Sequence, residues 1–338
     1  MKSTKDPLIY LLLFLSGFLI SCETILEDIP GDQLLNTRAQ IVIASFISPQ
    51  DSEVMVKVTE SSPLFTDYKR SNAGFVIDDG DTLVSDESNV IPDADVMISN
   101  GTINAKLEFD KIFQVYKIST RSFPIRGGTT YNLQVKSKGR VAEANCVVPL
   151  RRPLIASYSI DSVYQSGFGI NQKGFRVQFR FSDIQNQADF YRVRAYLEYE
   201  YLRPLENGES GVVYEPKTGR SAANWNGRFS DTDAYIDDVN RDGFVLESPA
   251  GIIFPQIPEH QVNFNGIEYN TKLSEKRPKI ILEVLSIEEN YRKYHLSIIK
   301  HENTENNPFA EPYPVFTNVK EGLGCFGASN RRIQTIQL

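Results

Sequence analysis

Phe175-Arg176-Val177-Gln178-Phe179-Arg180-Phe181 and, beyond a short polar break, Tyr191-Arg192-Val193-Arg194-Ala195-Tyr196-Leu197-Glu198-Tyr199 place apolar residues on every second position. Side chains alternate with period two only in an extended chain, so both runs read as strands with one apolar face. With the turn from Asp183 to Asp189 between them, they read as a long antiparallel hairpin, an arrangement that commonly leaves its polar face in solvent.

The same period recurs upstream. Ile41 and Ile43 alternate with Val42 and Ala44, and Val54, Val56 and Val58 follow suit. Further strands fit Asp95 to Ser99, Lys106 to Phe109, Phe113 to Ile118, Tyr131 to Val135 and Val141 to Val148, set apart by Asn100-Gly101, Gly127-Gly128 and Lys138-Gly139. Strands and turns spaced this regularly indicate a β-sandwich over residues 38–150, closed by the proline-bounded linker Val148 to Pro153. Residues 151–338 read as a second β-rich domain with long loops from Arg203 to Gly243. One amphipathic helix is signalled at about 286–302: Ser286-Ile287-Glu288-Glu289 has the form of a capping box, and Ile287, Tyr291, Tyr294 and Ile298 recur at helical spacing. The expected fold class is mainly β, with two β-sandwich-like domains and one amphipathic helix in the second.

The N-terminus bears on location. Lys2 and Lys5 precede an apolar run, Leu8 to Ile20, of about 13 residues, shorter than the roughly 20 a membrane-spanning helix needs and suited to an export signal. It ends at Leu19-Ile20-Ser21-Cys22, a small residue before a cysteine at the apolar boundary. Residues 1–21 are therefore expected to be a lipoprotein signal peptide, Cys22 the lipidated first residue, and 22–37 a tether. An ordinary cleaved signal with an incidental cysteine is the other reading. The net charge of −7 argues against a nucleic-acid partner, which demands a clustered basic surface. After Cys22, Cys146 and Cys325 are the remaining cysteines; outside the cytoplasm they can pair as a disulfide or stay as small buried thiols.

Few stretches suggest chemistry. Asp238-Val239-Asn240-Arg241-Asp242-Gly243 matches the opening of a calcium loop, with Asp238, Asn240 and Asp242 as alternate oxygen ligands, but Pro249 stands where such a loop carries its bidentate Glu. A metal-free, Asx-rich loop is the alternative, and no other cofactor is expected. His260, His295 and His301 are scattered, and H-E-x-x-H, C-x-x-C and G-x-S-x-G motifs are absent. Tyr214, Trp225 and Tyr235 fall in the long loops and are candidates for a contact surface, since aromatic rings dominate interface energetics. Near the end, Gly322, Gly324 and Gly327 match G-x-G-x-x-G, yet a final strand rather than a helix follows them. With Phe326, they read as a structural closure instead of a dinucleotide cradle.

The Ser21-Cys22 boundary, "IPDADVMISNG" (Ile91–Gly101), "GTTYNLQVKSKGRVAEANCVVP" (Gly128–Pro149), "VQFRFSDIQNQADFYRVR" (Val177–Arg194) and above all "NPFAEPYPVFTNVKEGLGCFGASN" (Asn307–Asn330) together resemble a Bacteroidota outer-membrane lipoprotein family of unknown function. Its members are often encoded beside SusC-type TonB-dependent transporters. The first sandwich, with its Gly-x-x-Tyr-x-Leu-x-Val, also resembles immunoglobulin- and fibronectin-like modules. Members often read Gly-Gly-Leu-Gly, and here Glu321 replaces the first glycine. The acidic Glu23, Glu27 and Asp28 resemble, in part, a surface-export signal. The resemblance implies a lipid-anchored outer-membrane protein, exposed at the cell surface. A non-enzymatic accessory binding module for a SusC-type transporter or other β-barrel partner is expected. Its alternatives are a structural component of an outer-membrane or cell-surface assembly, and a carbohydrate-active enzyme using scattered carboxylates.

Overall fold

The computed structural model describes residues 39–61, 74–78, 81–85, 89–167, 170–185, 189–207, 211–225, 235–305, 311 and 313–338; Cys22, the signal and the tether lie outside them. Alternating valines and isoleucines form β1 (Ile41–Ile47) and β2 (Glu53–Glu60), which pair antiparallel with Ile43 opposite Val58. β-branched side chains favour this geometry because they pack well on a pleated, half-buried face. β3 (Gly74–Asp78) and β4 (Asp81–Ser85) make a separate hairpin. Next come β5 (Asp95–Ser99), β6 (Asn104–Lys106), β7 (Glu108–Asp110), β8 (Val115–Ser119), β9 (Thr130–Ser137) and β10 (Arg140–Val147). The order β10-β9-β5-β6 makes one sheet, while β8 and β7 extend the sheet of β1 and β2. Between them lies the first core, which buries Ile41, Val56, Val96, Tyr131 and Val135.

The second half contains β11 (Leu154–Gly167), β12 (Ile170–Ser182), β13 (Phe190–Glu206), β14 (Val212–Ala222), β15 (Asn224–Trp225), β16 (Tyr235–Asp237), β17 (Val245–Glu247), β18 (Gly251–Ile253), β19 (Gln261–Phe264), β20 (Ile267–Asn270), β21 (Lys272–Leu273) and β22 (Lys279–Ile287). Here the hairpin expected from the alternating runs gives way to a different solution. β12 pairs with β11, β17 and β18, whereas β13 pairs with β14, β16, β21 and β22. The two strands lie in separate sheets and face each other: Phe175, Val177, Phe179 and Phe181 of β12 share the second core with Tyr191, Val193, Ala195 and Leu197 of β13. Two strands with matching apolar faces bury more hydrocarbon face to face than edge to edge, and non-directional burial drives that choice. The chain between Ser182 and Phe190 thus passes from one sheet to the other.

The start of the polar side of β13 is not in water either. A helix, α1 (Glu289–Glu305), reaches it through Tyr291, and Arg194 is only 6% exposed. Arg192 Nη1 and Arg194 Nη2 donate to the Tyr291 hydroxyl at 3.0 and 2.9 Å, and Arg194 also faces the buried Glu283 at 3.9 Å. Leu285, Ile287 and Tyr291 form a third, smaller core with Phe46, Phe190 and Tyr235 packed on it. The helix starts at Glu289, three residues after Ser286, the apparent cap: Ser286 sits in β22 opposite Asn330, and it is the Glu288 carbonyl that accepts the first helical bond, from Arg292 N–H at 3.0 Å. Among the described residues no helix is long and apolar enough to cross a membrane.

The last strand, β23 (Gly322–Gln337), belongs to both halves. Gly322 to Ala328 run parallel to Ile41 to Ile47 of β1, and Ser329 to Gln337 run antiparallel to Ile287 to Lys279 of β22. One continuous sheet, ordered β14-β13-β22-β23-β1-β2-β8-β7, therefore serves both sandwiches. The division at residue 150 needs a corresponding correction, because Val319, Phe326 and Ala328 are buried in the first core. A parallel partner must reach β1 by a long crossover, and here every element from β2 through the helix lies between the two strands.

Candidate functional site

Three places single themselves out: the glycine-rich seam, an aspartate corner, and the outer face of the first sandwich.

At the seam the family-like motif resolves into packing. Gly324 has φ +96°, a left-handed conformation, and a Cβ there would run into the carbonyl oxygen of Ile43. Asn318 accepts from Phe326 N–H through Oδ1 at 3.0 Å and donates through Nδ2 to the Phe326 and Asn145 carbonyls at 2.8 and 3.1 Å. Lys320 and Glu143 exchange both backbone bonds, at 2.7 and 3.1 Å, so the approach to β23 also clasps β10. Further on, Asn330 Nδ2 donates to the Pro149 carbonyl at 2.9 Å, Gln50 Oε1 accepts from Arg331 N–H at 2.9 Å, and the Arg331 guanidinium meets Asp51 at 2.8 Å with both side chains sealed from water. The sequence motif is a joint. Cys146 and Cys325 are both buried thiols and do not form a disulfide. Burial pushes the Cys146 thiol well above its ordinary value, and it packs as a small hydrophobe within the first core. Cys325 Sγ instead lies 3.8 Å from the Asn290 carbonyl at the start of the helix.

The corner joins two arches. Residues 183–189 lead from β12 to β13, and residues 238–244 lead from β16, which pairs with β13, to β17, which pairs with β12. Asp183 N–H donates to the Phe244 carbonyl at 3.0 Å, and Gly243 N–H donates to Asp183 Oδ2 at 2.7 Å. Asp183 Oδ1 accepts from the Tyr191 hydroxyl at 2.6 Å, with Asp189 Oδ2 3.1 Å from the same oxygen. Burial and these carboxylates raise the Tyr191 phenol far above its ordinary value. Within the second arch Arg241 N–H donates to the Asp238 carbonyl at 2.6 Å, and Asn240 is left-handed at φ +60°. One carboxylate oxygen from each of Asp183, Asp238 and Asp242 lies within 4.8 Å of the others. Asn240, the middle residue of the calcium-like pattern, is exposed.

The three aromatic candidates do not form one surface. Trp225 is 5% exposed; it packs in the second core, edge-on to Phe179 at 6.3 Å, because β15 is paired to β18 beneath it. Tyr214 and Tyr235 are half-buried, each beneath a cation: Lys272 at 4.4 Å and Arg192 at 5.0 Å. Tyr214 is opposite Pro204 and Tyr235 opposite Arg192, positions separated by roughly 40 Å along β13 at the usual strand rise.

A better-organised surface lies on the outside of the β10-β9-β5-β6 sheet, where a cleft of about 660 Å³ opens. Register brings Asn104, Ser99, Asn132 and Asn145 into a single row across all four strands. In a neighbouring row Lys106, Met97, Gln134 and Glu143 stand side by side. Charges there are matched internally: Lys106 pairs with Asp95 at 2.7 Å and Gln134 Nε2 donates to Glu143 at 2.6 Å. Its hydrogen bond from Lys106 holds the Asp95 carboxyl below the usual range. Among the described residues the side-chain amides of Asn104, Asn132 and Asn145 make no hydrogen bond to the rest of the protein, so each offers donors and an acceptor outward. Sequence reading located these strands but not this row, since cross-strand register is invisible in a single run of residues; Asp183 escaped notice as a partner of Asp238 for the same reason.

The fold and these surfaces define a mainly β protein of two sandwiches on a shared sheet. The chain belongs to the family described as a domain of unknown function, DUF4249, whose match spans residues 27–335. No curated protein and no solved structure matches it.

Proposed function

We propose that this protein is a non-enzymatic, exported binding module, anchored to the outer membrane through lipid on Cys22 and working beside a β-barrel partner, foremost a SusC-type TonB-dependent transporter. The observation that carries a binding role is the row Asn104, Ser99, Asn132 and Asn145 across the open face of the first sandwich. Amides held by a rigid sheet at strand spacing, about 4.8 Å, lose little freedom when they engage a ligand. They suit a ligand presenting hydroxyl or amide groups at similar intervals, such as a glycan or an extended peptide. Neutral donors and acceptors also leave recognition insensitive to salt, in contrast to phosphate-binding surfaces.

The lipid anchor is supported by the Ser21-Cys22 boundary behind a short apolar run; several acyl chains together hold a membrane where one does not. Metabolic labelling with an alkynyl fatty acid should mark the wild-type chain and not Cys22→Ala. The partnership is tested by affinity purification of the full chain from native membranes. Recovery of a barrel protein supports it, and its absence together with recovery of other surface proteins points to the assembly-component alternative. Turnover in a broad glycosidase screen would move the protein to the carbohydrate-active class.

A further inference from the structure

We propose that the corner where the two arches meet is a calcium site built from Asp183, Asp238 and Asp242. Calcium takes oxygen ligands at 2.3–2.6 Å, so two oxygens on one ion stand at most about 5 Å apart. One oxygen of each carboxylate satisfies that limit against both others, all three lying within 4.8 Å. Asp183 and Asp238 are 9% and 6% exposed, and the Asp238 carboxylate has no hydrogen bond or ion pair among the described residues, although it points at two other carboxylates. Burying a charge without a partner is costly, and a divalent cation at the centre removes that cost.

The donor set selects the ion. All ligand atoms are carboxylate oxygens, which suit hard cations, and neither histidine nor cysteine joins them. The Asp238–Gly243 loop has the alternating oxygens of a calcium loop but lacks its final bidentate carboxylate, since Pro249 stands at that place. Asp183 supplies the missing carboxylate from the other arch, positioned by the Tyr191 hydroxyl and the Gly243 N–H. Gly243, at φ +77°, allows the loop to turn its N–H onto Asp183. A bound ion staples the β12-to-β13 crossing to the β16-to-β17 crossing and so fixes one end of the second sandwich.

The test uses the full chain in detergent, stripped with chelator, and titrated with calcium chloride or magnesium chloride by calorimetry and thermal unfolding. Calcium should bind one equivalent and raise the unfolding midpoint progressively with its concentration, as linkage requires, with magnesium far less effective. Asp238→Asn and Asp242→Asn should each abolish the calcium-dependent rise. Asp242 is exposed, so its variant folds even if the Asp238 variant does not. Terbium bound at the corner sits beside Tyr191, and its tyrosine-sensitised emission should disappear in Asp242→Asn. No calcium-dependent rise at millimolar ion, or a rise that persists in Asp242→Asn, overturns the proposal.

Discussion

The seam of β23 on β1 and the corner at Asp183 both bind distant segments together, yet they do so by opposite means. At the seam the named side chains meet partners within the protein: Asn318 bonds both backbone groups of Phe326, Asn330 holds the linker, and Arg331 forms an ion pair with Asp51. At the corner three carboxylates converge, and the most buried of them, Asp238, has no hydrogen bond or ion pair among the described residues. A motif whose hydrogen bonds close on themselves is explained by folding alone. One that leaves a buried charge open requires something from outside. The glycine pattern resembling a cofactor loop is accounted for by packing, while the Asp-rich loop is where we propose a calcium ion.

That contrast can be broken most severely at Gly324. Gly324→Val imposes a β-branched side chain on a left-handed residue and drives it into the Ile43 carbonyl; a loss of about 4 kcal/mol or more is expected, visible as insoluble or mislocalised protein. A stable variant lacking only function would return the seam to the category of binding sites. Asp51→Ala removes the carboxylate that meets the buried Arg331 and should cost about 3–5 kcal/mol in denaturant titration. Replacing both, as Asp51→Leu with Arg331→Met, should recover most of that loss, because the apolar pair leaves no buried charge.

Glu288 gives a smaller, pH-dependent effect. Burial raises its carboxyl from 4.5 to about 7, so the folded state favours the neutral acid. Between these values the unfolded chain ionises first, and stability falls as pH rises through that window and stays lower above it. Glu288→Gln cannot ionise; it should flatten the decline and be more stable than wild type at pH 8 by about 1–3 kcal/mol. Thermal unfolding at pH 5 and pH 8 reads the difference. At the outer face, by contrast, Asn132→Ala with Asn145→Ala should change stability by less than about 0.5 kcal/mol, since these amides bond to nothing in the fold. Retained stability with lost ligand or partner capture would separate binding from folding.

Much of this architecture was legible in the residues, and the parts that were not share a cause. Alternation in Ile41–Ile47, Tyr131–Val135 and Phe175–Phe181 revealed strands and their inward faces, because a period of two is a local property. Pairing is not local. The runs around Phe179 and Val193 carry identical patterns whether they meet edge to edge or face to face, and only the full set of competing partners, with β22 claiming β13, excludes the hairpin. Ser286 illustrates the same limit, since its capping-box spacing is real but its backbone is already committed to Asn330. Trp225 reads as a loop residue because its neighbours are polar; two residues of β15 pairing with β18 suffice to bury it. Of the proposed calcium ligands, Asp238 and Asp242 are legible by their spacing, whereas Asp183 becomes their neighbour only through the fold.

The central claim, that the protein is an anchored binding module acting beside a membrane barrel, is tested most directly by crosslinking in intact cells. The full chain would be captured from native outer membranes and the crosslinked proteins identified. Recovery of an outer-membrane β-barrel protein with wild type, reduced when Asn132 and Asn145 are replaced or when Cys22 is, is the expected result. Recovery of no barrel protein from membranes in which the chain is folded and abundant would contradict it.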